Sequence, residues 1–312
     1  MMDPYTEARV GRFSPILGLN PKRVPRSSIM NTAENPIQEA LKTLENGVAN
    51  LIASEGWENY LKTQARFHNY SFNNALWLMI QGHLRAVDVT KFAGFQTWKK
   101  LGRFVRKGEL SFKVLAPCTY KREVAKEDGS VEQKFGISGF RVVSVFDVSQ
   151  TDGEPLPAIV QRLEGQDEQV MLTFARLAAW SCGNGIPVIQ KSLGGINGVY
   201  SRVESLITVD DKLSDVQALK TLVHEIAHSL LHSTDEGDSR STKEIEAEST
   251  AFVVLHALGI NAQDYSFGYV ASWSKGSKEA VRAVAGRVQK TAHTILEVIE
   301  TFNDLGTGTL HE

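Results

Sequence analysis

Thr221-Leu222-Val223-His224-Glu225-Ile226-Ala227-His228 decides the reading of this chain. The stretch holds His-Glu-x-x-His inside a helical apolar pattern, and residues four apart share one helix face. His224 and His228 can therefore meet one ion at about 2.0–2.1 Å, as zinc–imidazole bonds require. Glu225, the neighbour of the first imidazole, is placed to hold a water on that ion and take its proton. Leu222, Val223, Ile226, Ala227, Leu230 and Leu231 would bury the helix and make it a rigid platform. So short a pattern also arises by chance, with two satisfied core histidines as the plain alternative. The residues beyond it therefore matter.

Sixteen residues past His228, Glu244-Ile245-Glu246-Ala247-Glu248 opens a second helical stretch. Two imidazoles and one carboxylate complete a three-ligand site with an open fourth position. Glu244 and Glu248 share a face and Glu246 points elsewhere. The preferred assignment makes Glu244 the ligand. Glu248 then accepts a hydrogen bond from the second nitrogen of a ligand histidine. The exchange of these two roles stays open. Glu246 reads as a solvated acid complementing the helix dipole. His232 sits one turn on, about 6 Å by helical rise, too far to join the same ion. A third-histidine metallopeptidase pattern would need glycine at 231 and histidine at 234, where Leu231 and Thr234 stand. His68, His83, His256, His293 and His311 are scattered singly.

His224–His228 followed by Glu-x-x-Ala-Glu at 244–248 resembles gluzincin-type metallopeptidases, in particular the zincin-like domains of ImmA/IrrE type. The resemblance covers about 215–260 closely and implies Glu244 as the third ligand. Zinc suits two imidazoles and a carboxylate, and manganese or cobalt can occupy the same set.

The chain has 312 residues with 34 Lys+Arg and 36 Asp+Glu, so its net charge of −2 names no partner. The distribution is more telling. Up to Tyr120 there are 16 basic and 9 acidic residues (+7), against 18 and 27 (−9) beyond it. Five cations (Lys99, Lys100, Arg103, Arg106, Lys107) fall within nine residues beside Trp98 and Phe104. Single-stranded nucleic acid needs this pairing, with cations along the phosphates and exposed rings under the bases. A solvated basic face over buried aromatics is the alternative, with Phe72, Leu76, Trp77 and Phe104 as core. The candidate contact residues are Arg66, Tyr70, Asn73, Asn74, Trp98, Lys99, Arg103, Arg106 and Lys107.

Scattered Pro, Arg and Ser predict a flexible arm over 1–34, and Asn35-Pro36-Ile37-Gln38 a capped helix start. Leu41, Leu44, Val48 and Leu51 then recur at helical spacing, and further helical patterns cover 57–67, 71–82 and 92–100. Strand patterns follow at Phe112–Leu115 and Phe140–Phe146, with Lys126–Ser130 as a hairpin tip. Thr151-Asp152-Gly153-Glu154-Pro155-Leu156-Pro157 reads as the linker. The expected organisation is thus a domain over 35–152, a linker over 153–165 and a second domain over 166–312. In the second, helices are expected near 166–182, 215–232, 242–258 and 277–303, with short strands near 188–190, 199–201 and 205–209.

Cys118 and Cys182 read as two buried free thiols, which fits a cytoplasmic protein. Met1–Thr6 carries Asp3 and no apolar stretch, unlike a secretory signal. No uncharged apolar run approaches the ~20 residues that span a bilayer.

Tyr70-Ser71-x-x-Asn74, then Phe95-x-x-Trp98-Lys99-x-Leu101-Gly102-x-x-Val105-x-Lys107-Gly108, then Val145-Phe146-Asp147-Val148-x-Gln150-Thr151 together resemble the ArdC antirestriction family. The likeness runs from about 37 to 275. It implies an α+β chain with an N-terminal α/β domain that binds single-stranded DNA and a C-terminal zincin-like metallopeptidase domain. It also implies carriage on mobile genetic elements and protection of incoming DNA from restriction. On that reading the enzyme, if active, is a zinc metallopeptidase using Glu225 as its base. An extended peptide would lie beside the strand at 205–209, with Tyr200, Tyr265 or Tyr269 donating to the oxyanion. Two other readings remain. One is a non-catalytic DNA-coating protein with a structural metal. The other is a peptidase that cleaves a DNA-associated regulator.

Overall fold

The computed structural model describes residues 36–53, 56–125, 131–154, 167–233, 239–260 and 273–307. The arm at 1–34, Asn35, the hairpin tip at 126–130, linker residues 155–165, Tyr265, Tyr269 and His311 lie outside the described residues.

The first part of the chain forms α1 (Pro36–Ala53), α2 (Gly56–Arg66), α3 (Phe72–Arg85), β1 (Phe92–Ala93), α4 (Phe95–Lys100), β2 (Arg103–Val105), β3 (Phe112–Ala125), β4 (Val131–Asp147) and β5 (Thr151–Gly153). The second forms α5 (Asp167–Gly183), β6 (Val188–Gln190), β7 (Gly198–Ser201), β8 (Leu206–Val209), α6 (Asp215–Leu231), α7 (Arg240–Ala257) and α8 (Lys278–Thr307). The fold is α+β. Among the described residues no helix is long and apolar enough to cross a membrane.

Helical period sets the buried stripe of α1 as Ala40, Leu44, Val48 and Leu51. Leu41 is on the exposed side instead, because Ala40 holds the position three to four residues ahead of Leu44. Thr151–Gly153, the start of the stretch read from composition as a linker, is strand β5. Thr151–Gly153 pairs antiparallel with Arg103–Val105, and Gly153 lies too close to the backbone of Gly102 and Arg103 to tolerate a Cβ. Neither cysteine is buried: Cys118 is half-buried in β3 and Cys182 is exposed near the end of α5.

Strands β3 and β4 form a long antiparallel hairpin with a bulge at Cys118/Thr119, and the sheet order is β1-β4-β3. β3 is therefore an edge strand, and α3 covers its open side with two side-chain amides. Asn74 Nδ2 donates to Leu115 O (2.9 Å), and Leu115 N donates to Asn74 Oδ1 (2.8 Å). Gln81 exchanges the same pair of bonds with Lys113. These amides satisfy backbone groups that an edge leaves unpaired.

One apolar core runs through both parts of the chain, from Leu44, Leu51 and Leu76 to Leu222, Val253, Val288 and Leu296. Helices α1–α3 share it with α7 and α8. Trp57 on α2 meets Trp273 edge-on at 5.5 Å and donates its Nε1–H to Ser249 Oγ on α7 at 3.1 Å. Glu45 on α1 pairs with Lys278 and Arg282 of α8. The helix bearing Glu244–Glu248 is thereby packed on one side by the first part of the chain.

Candidate metal centre

Ser214 stands at the N-cap of α6, and Ala218, Leu219, Leu222, Val223, Ile226 and Ala227 face the core. Leu230, expected inside, is exposed near the end of the helix. This packing leaves His224 and His228 on the face opposite the apolar stripe, turned toward α7. Ser239 caps α7, accepting from the Thr242 N–H at 3.2 Å, and the first turns of that helix carry Glu244 up to the imidazoles.

His224 Nε2 and His228 Nε2 are 3.0 Å apart, and Glu244 Oε2 lies 3.5 and 3.6 Å from them. A tetrahedral ion with bonds of about 2.0–2.1 Å holds its ligand atoms about 3.4 Å apart. The three observed separations bracket that figure, so the donor set fits one divalent cation in both chemistry and spacing. Glu248 occupies a different position: its Oε2 is 3.1 Å from His224 Nδ1, the nitrogen facing away from the cluster, and its Oε1 pairs with Lys220 at 3.2 Å.

Electrostatics follow the geometry. Burial lowers the affinity of His224 for a proton, yet its hydrogen bonds to Glu244 and Glu248 outweigh this and push it up to about 9. The same bonds to His224 and His228 hold Glu244 well below the usual carboxylate range. Glu225 moves the other way. Burial raises its pKa against the opposing charges of His224 and His228, and the Tyr200 backbone N–H donates to it.

His224, Glu225, His228 and Glu244 line an open cleft of about 700 Å³ together with Val199, Tyr200, Arg202, Arg240 and Lys243. The small sheet has the order β6-β8-β7. β8, at 206–209, is paired on both sides and has no edge to offer a peptide, contrary to the expectation from sequence. β7 is the strand bordering the cleft. Gly198 lets it approach α6: a Cβ there would lie 2.4 Å from Thr221 Cγ2 and 3.2 Å from Glu225 Oε1.

Glu246 departs furthest from its sequence reading. It is 0% exposed, accepts from His232 Nε2 at 2.9 Å and from Arg287 Nε at 2.6 Å. His232 in turn has its Nδ1 2.9 Å from His228 Nδ1. Helical spacing alone put Glu246 off the Glu244 face. Only the approach of α8 explains why that other face is interior.

The expected nucleic-acid residues divide. Trp98 is 2% exposed and donates its Nε1–H to Phe146 O at 2.9 Å, so its ring is core and not a stacking platform. Phe104, expected in the core, is 59% exposed. The three-residue strand explains the exchange, since Arg103 and Val105 point in and Phe104 points out. Asn74 is occupied by β3, and Tyr70 is half-buried with its hydroxyl on Phe92 O at 3.2 Å. Arg66 pairs with Asp88 at 2.7 Å. Arg103 staples β2 to β5 through Thr151 and Gly153, and Arg106 binds Glu109 and Asp152. Asn73, Lys99 and Lys107 are exposed. Phe95 and the hairpin rings Tyr120, Phe135 and Phe140, not among the sequence candidates, are exposed as well. Over 113–122 and 133–144 that hairpin has five Lys or Arg and no acid, a signal present in the sequence.

Comparison with known proteins gives two domain matches in order. Residues 30–146 match the model of the N-terminal domain of anti-restriction factor ArdC. Residues 183–266 match that of the IrrE N-terminal-like domain, peptidase M78. An uncharacterised protein of Bacillus anthracis is 25% identical over 277 residues, covering 76% of this chain and 46% of that protein. The chain therefore spans about half the length of this curated relative. Crystal structures of antirestriction ArdC protein from the R388 plasmid, metal-free and Mn(II)-bound, align at 23% and 21% identity with TM-scores of 0.46 and 0.42. They cover 74% and 73% of this chain, and 85% and 84% of their own.

Proposed function

We propose that the chain is of ArdC type, with an ArdC-like N-terminal domain followed by a metallopeptidase-like domain, and that it binds single-stranded DNA and hydrolyses a peptide bond at a divalent metal site, in the service of protecting incoming DNA from restriction. One observation carries the enzymatic half: His224, His228 and Glu244 converge at a single point while Glu225 lines the same cleft. A purely structural metal site has no use for that fourth residue.

His224, His228 and Glu244 would hold the cation, with zinc favoured by the donor set and manganese or cobalt compatible. When bound, the ion supplies a Lewis acid and brings the pKa of water toward 7. The remaining work falls to the chain. Glu225, its pKa raised by burial, takes the proton from the attacking water at its carboxylate and returns it to the leaving amine. The Tyr200 N–H holds that carboxylate in place. An extended substrate lies along β7, and Tyr200, a residue of the cleft wall, is the candidate donor to the oxyanion.

The DNA-binding half is supported by exposed rings beside cations. Phe95 and Phe104 lie near Lys99, Lys100 and Lys107, all exposed. The same chemistry recurs on the hairpin, where Lys121 sits 5.4 Å over the Phe135 ring. Cytoplasmic action is part of the proposal, since incoming DNA meets restriction there.

Glu225→Gln tests the enzyme reading. The variant should keep one equivalent of metal by elemental analysis and keep DNA binding, yet lose cleavage of fluorescently labelled casein. If protection of DNA in cells survives the change undiminished, catalysis has no part in that role.

A further inference from the structure

We infer that His232, Glu246 and Arg287 are positioning residues that fix which nitrogen of His228 faces the metal pocket, making α8 a structural part of the metal centre. The inference rests on reading His224, His228 and Glu244 as the ligand set.

A ring nitrogen coordinates a metal only through a free lone pair. His228 Nε2 faces His224 Nε2 at 3.0 Å and Glu244 Oε2 at 3.6 Å, so its proton must sit on Nδ1. Among the described residues, the hydrogen-bonding partner at Nδ1 is His232 Nδ1 at 2.9 Å. Two neutral imidazoles bond at such a distance only if one donates and the other accepts. With His228 donating, His232 carries its own proton on Nε2, where Glu246 Oε2 waits at 2.9 Å. An ionised carboxylate can only accept. Glu246 is fully buried, and Arg287 pairs with it through Nε and Nη2 on Oε1. Every donor along the chain thus points the same way, from His228 outward to Glu246, and the guanidinium closes it.

His224 is oriented by the same logic at shorter range, through Glu248 and Lys220. The two imidazoles therefore each end on a carboxylate backed by a cation. For His228 the carboxylate is one imidazole further away, and its cation comes from α8. Simple packing of α7 on α8 would not require the His228–His232 contact to run Nδ1 to Nδ1. Nor would it require a carboxylate at the far end.

Two experiments decide the matter. In the full-length zinc-loaded protein, long-range 1H–15N correlation spectra report tautomers directly: His228 should be protonated at Nδ1 and His232 at Nε2. The second compares zinc affinity, by competition with a chromogenic chelator, and the visible spectrum of the cobalt-loaded protein. His232→Ala should weaken zinc about 10–100-fold and alter the cobalt bands. His232→Gln, whose amide can accept from His228 and donate to Glu246, should recover most of the loss. Arg282→Ala, on the same helix but paired with Glu45, should change neither readout. Zinc affinity within twofold of the parent and an unchanged cobalt spectrum in His232→Ala would overturn the inference, as would His228 protonated at Nε2. Should His232→Ala not fold, the tautomer measurement on the parent protein still decides. A parent that binds no zinc, or keeps it in His224→Ala, would instead remove the ligand set itself.

Discussion

Gly198→Ala measures how hard β7 is pressed against the metal-bearing helix. The added Cβ would lie 2.4 Å from Thr221 Cγ2 and 3.2 Å from Cγ and Oε1 of Glu225. Optimal carbon–carbon contact is about 3.5–4.0 Å, so β7 and α6 must separate by about 1 Å. β7 is paired to β8, whose Ile207 and Val209 are in the core, and α6 is anchored there by Leu222, which leaves little room to yield. Overpacking of this kind costs about 1–3 kcal/mol. Displacing Glu225 by about 1 Å would also cost on the order of 100-fold in any cleavage rate. Thr221→Ser removes the blocking methyl, and by itself should cost about 0.8 kcal/mol for one carbon. Combined with Gly198→Ala it should restore stability, giving a coupling of about 1 kcal/mol or more in a four-protein cycle. Urea denaturation at pH 7 supplies the four free energies. The rate should recover less than the stability, because the Glu225 contact persists. A Gly198→Ala protein within about 0.5 kcal/mol of the parent, or strictly additive effects, would refute the close approach.

Three further outcomes are expected. Trp98→Ala should cost about 3–5 kcal/mol, the range for emptying a buried aromatic site, and the fluorescence change on adding an oligonucleotide should be the same in Trp98→Phe as in the parent. A smaller change in Trp98→Phe would mean that bases reach the ring. Phe104→Ala should weaken single-stranded DNA binding by about 1–3 kcal/mol, and Lys107→Ala should flatten the salt dependence by about 0.7 in log–log slope for one lost phosphate contact; anisotropy titrations with both effects missing would clear this surface of DNA. His68 is held neutral by burial and by the charges of His293 and Lys91, and its pKa falls from 6.5 to about 4. The unfolded chain then takes up the proton first. Stability is complete above pH 6.5 and is lost as pH falls toward 4, by about 2–3 kcal/mol at pH 4.5. His68→Gln should shrink that loss relative to the parent in urea midpoints at pH 7 and 4.5, and identical pH dependence in both proteins would rule the histidine out.

Which parts of this protein can be read without coordinates follows from how far each signal travels along the chain. Helix α6 announces itself within eight residues, because the four-residue return of a helix forces His224 and His228 onto one side whatever surrounds them. The amphipathic stripe of α1 and the strand pattern of β4 are local in the same sense. Short elements are weaker: in α4 and β2 a shift of one residue exchanges inside and outside, and Trp98 and Phe104 changed places accordingly.

Residue order alone settled the chemical alphabet of the site: two imidazoles, a neighbouring carboxylate, and a second acidic helix sixteen residues on. Tertiary structure decided how that alphabet is spent. It put Glu248 on Nδ1 of His224, took Glu246 out of solvent and joined it to Arg287 from a helix some forty residues later, and left the open sheet edge to β7 instead of β8. Periodicity states which side chains share a face. What lies opposite that face is set by the packing of segments distant in sequence, and a buried charge gains its meaning only from the partner that arrives there.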